Sequence, residues 1–288
     1  MERPGPLRLA ATLALGICAV SCGSIFARLA SAPALAVAAY RCVWGAVLLA
    51  PALLSGPIRE LRRLSPGEWA RIALSGAALA FHFALWIASL RYTTVASSVL
   101  LVDTTPFFLG LANRWLAGAR LRRSFWAGLA LAFAGCAVVF RGDLALGSEA
   151  VRGNLLALGG ALAMAVYLQA GSAARQRLSL VAYVWPVYAA SGAALVAASL
   201  AFATPLGGFS RATYLFLFLL GLVPQCVGHT TYNWALRWLQ PALVAIVGLA
   251  EPVGASLLAW VVLGERLTLE KLAGGAIILG GIYVAAKK

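Results

Sequence analysis

The sequence predicts an all-α integral membrane protein of ten transmembrane helices, arranged as two inverted five-helix repeats. Three observations predict it. Apolar runs long enough to cross a bilayer recur along the whole chain, positive charge is concentrated in the connections between them, and one stretch of the sequence occurs twice. Of the 288 residues 62% are hydrophobic and 11% charged, and the mean hydropathy is +0.89. Soluble domains carry about 45–50% apolar and about 25% charged residues, so the lipid bilayer is the expected surrounding. No soluble domain fits between the apolar runs.

Taken in order, the expected spans are residues 9–29, 34–54, 70–90, 94–116 and 125–140, then 153–174, 180–202, 212–236, 241–263 and 269–286. A hydrocarbon core about 30 Å thick needs about 20 residues at 1.5 Å per residue, which most of these supply. The first run follows Arg3 and Arg8 and has the outline of a signal peptide, but a second span follows at once, so it is expected to remain in the protein. The connections are short, and the longest polar one is expected between Arg141 and Arg152.

The repeat appears when the chain is shifted by 146 residues against itself. Leu90, Arg91, Ala96, Pro106, Leu111, Gly118, Arg120, Leu121, Ala127, Gly128, Ala130 and Gly135 then fall on Leu236, Arg237, Ala242, Pro252, Leu257, Gly264, Arg266, Leu267, Ala273, Gly274, Ala276 and Gly281, 12 identities in 46 positions. Composition alone would give roughly 4 or 5, so the match marks a unit used twice. The repeats are expected to divide one membrane domain at 1–146 and 147–288. Because each has an odd number of spans, the second enters from the opposite side, which relates the two by an axis in the membrane plane and builds a site near the midplane.

Orientation follows from the basic residues, since cytoplasmic loops carry the excess. Arg3, Arg8, Arg59, Arg62, Arg63, Arg71, Arg114, Arg120, Arg122, Arg123, Arg175, Arg177, Arg237, Lys287 and Lys288 put 15 on one side, against 7 on the other (Arg28, Arg91, Arg141, Arg152, Arg211, Arg266 and Lys271). Both termini are therefore expected in the cytoplasm. The net charge of +14 lies in these connections rather than on one helix face, so it points away from nucleic acid. The five cysteines lie inside apolar runs without zinc spacing and read as packing residues, and no metal or cofactor is implied. No catalytic constellation or nucleotide-binding motif appears, which argues against an enzyme and against ATP-driven transport.

The most specific stretch is Glu251-Pro252, followed by Leu263-Gly264-Glu265-Arg266-Leu267 and by Gly274 to Gly281, with a degraded copy at Thr105-Pro106 and Ala117-Gly118-Ala119-Arg120-Leu121. On these residues the chain resembles the drug/metabolite transporter superfamily, in its ten-helix branch, and within it is most similar to bacterial aromatic amino-acid exporters. The resemblance implies a multi-pass protein of the bacterial inner membrane that exports small metabolites, with amino acids as the small-molecule substrate. Thr105 and Ala119 stand where the second copy has Glu251 and Glu265, so no role of those glutamates is duplicated.

Five ionisable groups fall within apolar spans: Arg41, His82, Asp103, His229 and Glu251. Each costs about 2.5–3.5 kcal/mol to insert. At 1.5 Å per residue, each half places a histidine and an acid at mirrored depths, about 10–15 Å from a membrane face. Either they line a central pathway or they are buried pairs that tie helices together. Arg41 is shallow enough to snorkel and is expected to be structural. His82, Trp86 and Ser89 share one helix face, as do Gln225, His229 and Tyr232, as do Met164 and Tyr167, and Tyr40 and Trp44 flank Arg41. The expected substrate-binding set is Trp44, His82, Trp86, Asp103, Tyr167 and His229. Pro106, Glu251 and Pro252 are expected to be structural or hinge residues, with kinks in the fourth and ninth helices. Gly128/Gly135 and Gly274/Gly281, each seven apart, mark close packing of the fifth and tenth helices, which are expected to stay out of the cavity.

Overall fold

A computed structural model describes residues 4–116, 122–144 and 147–286. Gly118, Ala119, Arg120 and Leu121 of the repeat, with Arg3, Lys287 and Lys288, lie outside the described residues. Among the described residues the regular structure is helical throughout. Nine helical rods are long and apolar enough to span a bilayer: α1 (Pro6–Leu29), α2 (Ala34–Ser55), α3 (Pro66–Ser89), α4 (Val95–Trp115), α5 (Arg123–Leu144), α6 (Ser148–Arg175), α7 (Leu180–Ala201), α8 (Arg211–Ala235) and α9 (Pro241–Leu263). A tenth, α10 (Leu269–Ala286), lies along α5.

Local sequence sets the helix ends. Ser65 and Glu68 cap the start of α3 reciprocally, the Ser65 hydroxyl taking the Glu68 N–H and the Glu68 carboxylate taking the Ser65 N–H. Thr94, Ser179 and Ser210 cap α4, α7 and α8 through the N–H three residues on. Gly264 closes α9 with a φ of 68°, a left-handed conformation that a side chain resists.

The α5–α10 crossing establishes the symmetry. A Cβ placed on Gly128 would stand 2.3 Å from the Gly281 carbonyl oxygen, and one on Gly135 would stand 2.8 Å from that of Gly274. The backbones therefore touch, as small residues permit in lipid. The helices run antiparallel, because the early glycine of each meets the late glycine of the other. A shift of 146 residues exchanges the two contacts, so a two-fold axis passes between them, perpendicular to the helices. Other packing obeys the same axis: α3 lies on α6 as α8 lies on α1, and α2 meets its own counterpart α7. The repeats are inverted.

Helix breaks follow the repeat too. α4 is interrupted at Asp103 and Thr104, and its second half starts at Thr105-Pro106; α9 is interrupted at Leu249 and Ala250, and its second half starts at Glu251-Pro252. Proline has no N–H to give, so it suits the first turn of a new helix and ends the old one. Not every feature is duplicated. The middle of α8, Gly221–His229, is wound as a π-helix around Pro224, whereas the corresponding part of α3 is regular α-helix.

Both ends of the bundle are tied by arginine. At one end Arg28 donates to the Leu90 carbonyl and Arg91 to the Ala32 carbonyl. At the other, Gln176 donates to the Leu236 carbonyl at 3.2 Å and Arg237 to the Leu178 carbonyl at 3.5 Å. Arg237 and Leu178 are the repeat partners of Arg91 and Ala32, and Leu236 is the partner of Leu90. Each tie fastens the connection after the first helix of a repeat to the connection after its third. Each end also holds an acid: at the first Glu265 accepts from Arg28 at 2.9 Å and from the Val95 N–H at 2.9 Å, and at the second Glu60 accepts from the Ser179 N–H at 2.8 Å.

The polar connection expected between Arg141 and Arg152 is shorter than that. α5 continues to Leu144 and α6 begins at Ser148, because Asp143 is buried within the bundle, accepting from Asn154 Nδ2 at 2.8 Å and Thr93 Oγ1 at 3.3 Å. Paired through Oδ2 in this way, a buried carboxylate lets the helix run on where hydropathy alone would end it.

Candidate functional site: a cavity between the helix breaks

A cavity of about 40 Å³ lies where the breaks of α4 and α9 face α2, α3, α6 and α8; its walls include Arg41, His82, Trp86, Asp103, Thr105, Met164, His229, Tyr232 and Glu251. No described lining residue comes from α5 or α10. At about 10–15 Å³ for each water, this holds about three. Arg41, His82, Trp86, Thr105, His229 and Tyr232 of its wall are buried.

The breaks explain the acids. Glu251 is the first residue of the second half of α9, where a carboxylate is favoured by the helix dipole and by free N–H groups. Asp103 ends the first half of α4, and its Oδ2 is buried without a partner. Thr105 turns its hydroxyl to the carbonyls of Val102 (2.8 Å) and Ala161 (3.2 Å), so α4 is anchored to α6 at the break.

The histidines face each other, with ring centroids 6.0 Å apart, across the contact between α3 and α8. His82 Nδ1 donates to the Gly160 carbonyl at 3.0 Å, and its ring lies parallel to Trp86, centroids 6.1 Å apart and planes 4° apart. His229 packs near Phe83, Tyr167 and Tyr232, and its Nδ1 has no partner. The sequence paired each histidine with an acid; the structure instead gathers both histidines into one aromatic wall.

Arg41 is the largest departure from expectation. It does not snorkel: it is 1% exposed, with Nε donating to Gln225 Oε1 at 2.8 Å and Cζ 4.0 Å above the centre of the Phe83 ring and 5.4 Å from that of Trp86. Gly23, just past an interruption of α1 at Cys22, makes room, since a Cβ there would lie 3.3 Å from the guanidinium and 3.4 Å from the indole. The guanidinium Nη1 has no protein partner.

Four of the six expected substrate residues, His82, Trp86, Asp103 and His229, therefore meet at one cavity. Tyr167 lies behind the wall, fully buried, accepting from Asn233 Nδ2. Trp44 lies elsewhere: it packs edge-on against Phe218, and its Cβ abuts Gly221. Sequence reasoning passed over Thr105 and assigned Arg41 elsewhere. The orphaned charge of Arg41 beside two aromatic residues in the next helix was the available signal.

Inverted repeats and paired broken helices around a polar cavity are the architecture of a membrane transporter. The family comparison agrees, matching residues 8–141 and again 151–286 to the EamA-like transporter family. The chain belongs to that family, once per repeat. It is 28% identical over 80% of both chains to an uncharacterized transporter of Archaeoglobus fulgidus. It is 25% identical to the uncharacterized transporter YwfM of Bacillus subtilis, over 88% of this chain and 84% of that one. A further Archaeoglobus fulgidus transporter is 34% identical over 73 residues, about a quarter of either chain. A solved crystal structure has the same fold, with a TM-score of 0.73 over 98% of both chains at 21% identity.

Proposed function

We propose that this protein exports amino acids, aromatic ones foremost, across the bacterial inner membrane by alternating access, with both termini in the cytoplasm. The observation that carries the reading is the cavity itself, where the parallel rings of His82 and Trp86 offer aromatic faces and charged groups of both signs stand around them. Such faces accept planar or bulky apolar side chains, so selectivity is broad within amino acids. His82, Trp86, Asp103 and His229 contact the substrate, and Tyr167 backs the wall.

The two halves rock about the cavity, bending at the breaks before Pro106 and Pro252 while one arginine tie opens and the other holds. An abundant cytoplasmic amino acid leaves down its own gradient, and no further coupling is required. The test is uptake into proteoliposomes across a panel of amino acids, nucleotide sugars and lipophilic cationic drugs, with and without an imposed pH gradient. Saturable amino-acid flux that only equilibrates supports the proposal. Accumulation against the amino-acid gradient refutes uncoupled export. Flux of cationic drugs alone favours the second reading, a cation exporter whose two cavity acids bind the positive charge.

A further inference from the structure

Among the described residues Arg41 is the one Arg or Lys on the cavity wall, and the protein leaves it only partly satisfied. Its Nε is taken by the side-chain oxygen of Gln225, a neutral group, and among the described residues no carboxylate lies within ion-pair distance of it. Beside its free Nη1, the Trp86 indole N–H and the Gln225 amide are also buried without acceptors. Three buried donors without acceptors thus belong to Arg41 and to two side chains packed against it. Buried donors are ordinarily paired, and a buried charge is costly without a partner. The opposite deficit occurs at the helix breaks, where Asp103 Oδ2 has no donor and Glu251 shares the same wall.

We propose that these two deficits are the two ends of a receptor for a zwitterion. Arg41, with Trp86 Nε1, takes the α-carboxylate, and Asp103 with Glu251 takes the α-ammonium group. The free edge of a guanidinium matches a carboxylate with two parallel hydrogen bonds, and Gln225 fixes that edge by occupying Nε. The side chain of the substrate is left to the His82–Trp86 face. Arg41 is then the residue that separates amino acids from amines of the same shape, and Gly23 serves it by leaving room for the guanidinium. This rests on the amino-acid reading above, which it deepens by assigning the head group.

The experiment compares L-phenylalanine with phenethylamine, which lacks the carboxylate, and 3-phenylpropionate, which lacks the ammonium. L-leucine keeps the head group without the ring. Each is tested as an inhibitor of L-phenylalanine counterflow and as a stabiliser of the purified protein against heat. In the native protein, L-phenylalanine should bind at least tenfold more tightly than either half-analogue, since a hydrogen-bonded charge is worth about 1.5–3 kcal/mol. Arg41→Gln should weaken L-phenylalanine at least tenfold and shift phenethylamine less than about threefold, on the same basis. Arg41→Lys should restore part of the difference. If L-phenylalanine or L-leucine is transported but both half-analogues compete equally well in the native protein, the head-group assignment is wrong while the amino-acid reading stands. If phenethylamine binds and neither amino acid does, both fail. The native protein alone decides between these outcomes, whether or not Arg41→Gln folds.

Discussion

Glu265→Gln separates the two arginine ties, because Glu265 pairs with the arginine of the tie near Leu90, whereas Glu60 at the other end accepts from the Ser179 N–H. Glutamine keeps a carbonyl oxygen for the Val95 N–H but loses its charge; the step from a charged to a neutral acceptor costs about 1 kcal/mol. The ion pair with Arg28 is also lost. The Arg28 side chain is 32% exposed and Glu265 12%, so after solvent screening the pair contributes about 0–1 kcal/mol. Together the change removes about 1–2 kcal/mol from one end and nothing from the other, a shift of about 5–30-fold in the equilibrium between closed and open at that end. The assay is the labelling rate of a single cysteine at Val102, on the cavity wall, in a protein otherwise free of cysteine. A membrane-impermeant maleimide is added from outside the cell. The rate should rise by that factor without loss of folded protein. An unchanged rate, or a rise only when reagent is added from the cytoplasmic side, would refute the role of this tie as the outer closure.

Three further outcomes are expected. Gly281→Ala brings a Cβ within 2.6 Å of the Gly128 carbonyl and should cost about 1–3 kcal/mol by overpacking; an unaltered melting temperature in detergent would show that the α5–α10 contact is looser than described. Asp143→Ala strands Asn154 Nδ2 and should destabilise by about 1–3 kcal/mol, while Asp143→Asn, which keeps an acceptor, should lose less, both read as thermal melts. A cysteine at Glu149, on the exposed start of α6, should react with impermeant reagent from outside the cell, and labelling from the cytoplasm alone would reverse the orientation.

The helices and their inversion were legible because lipid imposes a simple requirement on sequence: apolar length between charged ends. Gly128, Gly135, Gly274 and Gly281 even encoded their contact, since small residues seven apart on repeat-related helices leave little other purpose. Pro106 and Pro252 located the breaks. What the sequence concealed was direction. Tyr40 and Trp44 share a face of α2, but that face turns to Tyr214 and Phe218 on the early half of α8, while Arg41, on another face, turns inward. Counting depth along a straight rod assigned Arg41 to the membrane edge; the interrupted α1 and π-wound α8 that receive it are tertiary features without a local period. Asp143 was assigned to a loop for a related reason, because hydropathy does not register that Asn154 and Thr93 donate to its Oδ2.

The proposed carrier site opens to one side at a time. Trans-acceleration tests it most directly: proteoliposomes containing the protein are loaded with unlabelled L-phenylalanine, and entry of the radiolabelled compound is followed from dilute external solution. A carrier predicts saturable entry that transiently overshoots equilibrium in loaded vesicles and not in empty ones. Entry that is linear in concentration and indifferent to the internal amino acid would contradict it, as a continuous pore behaves in that way.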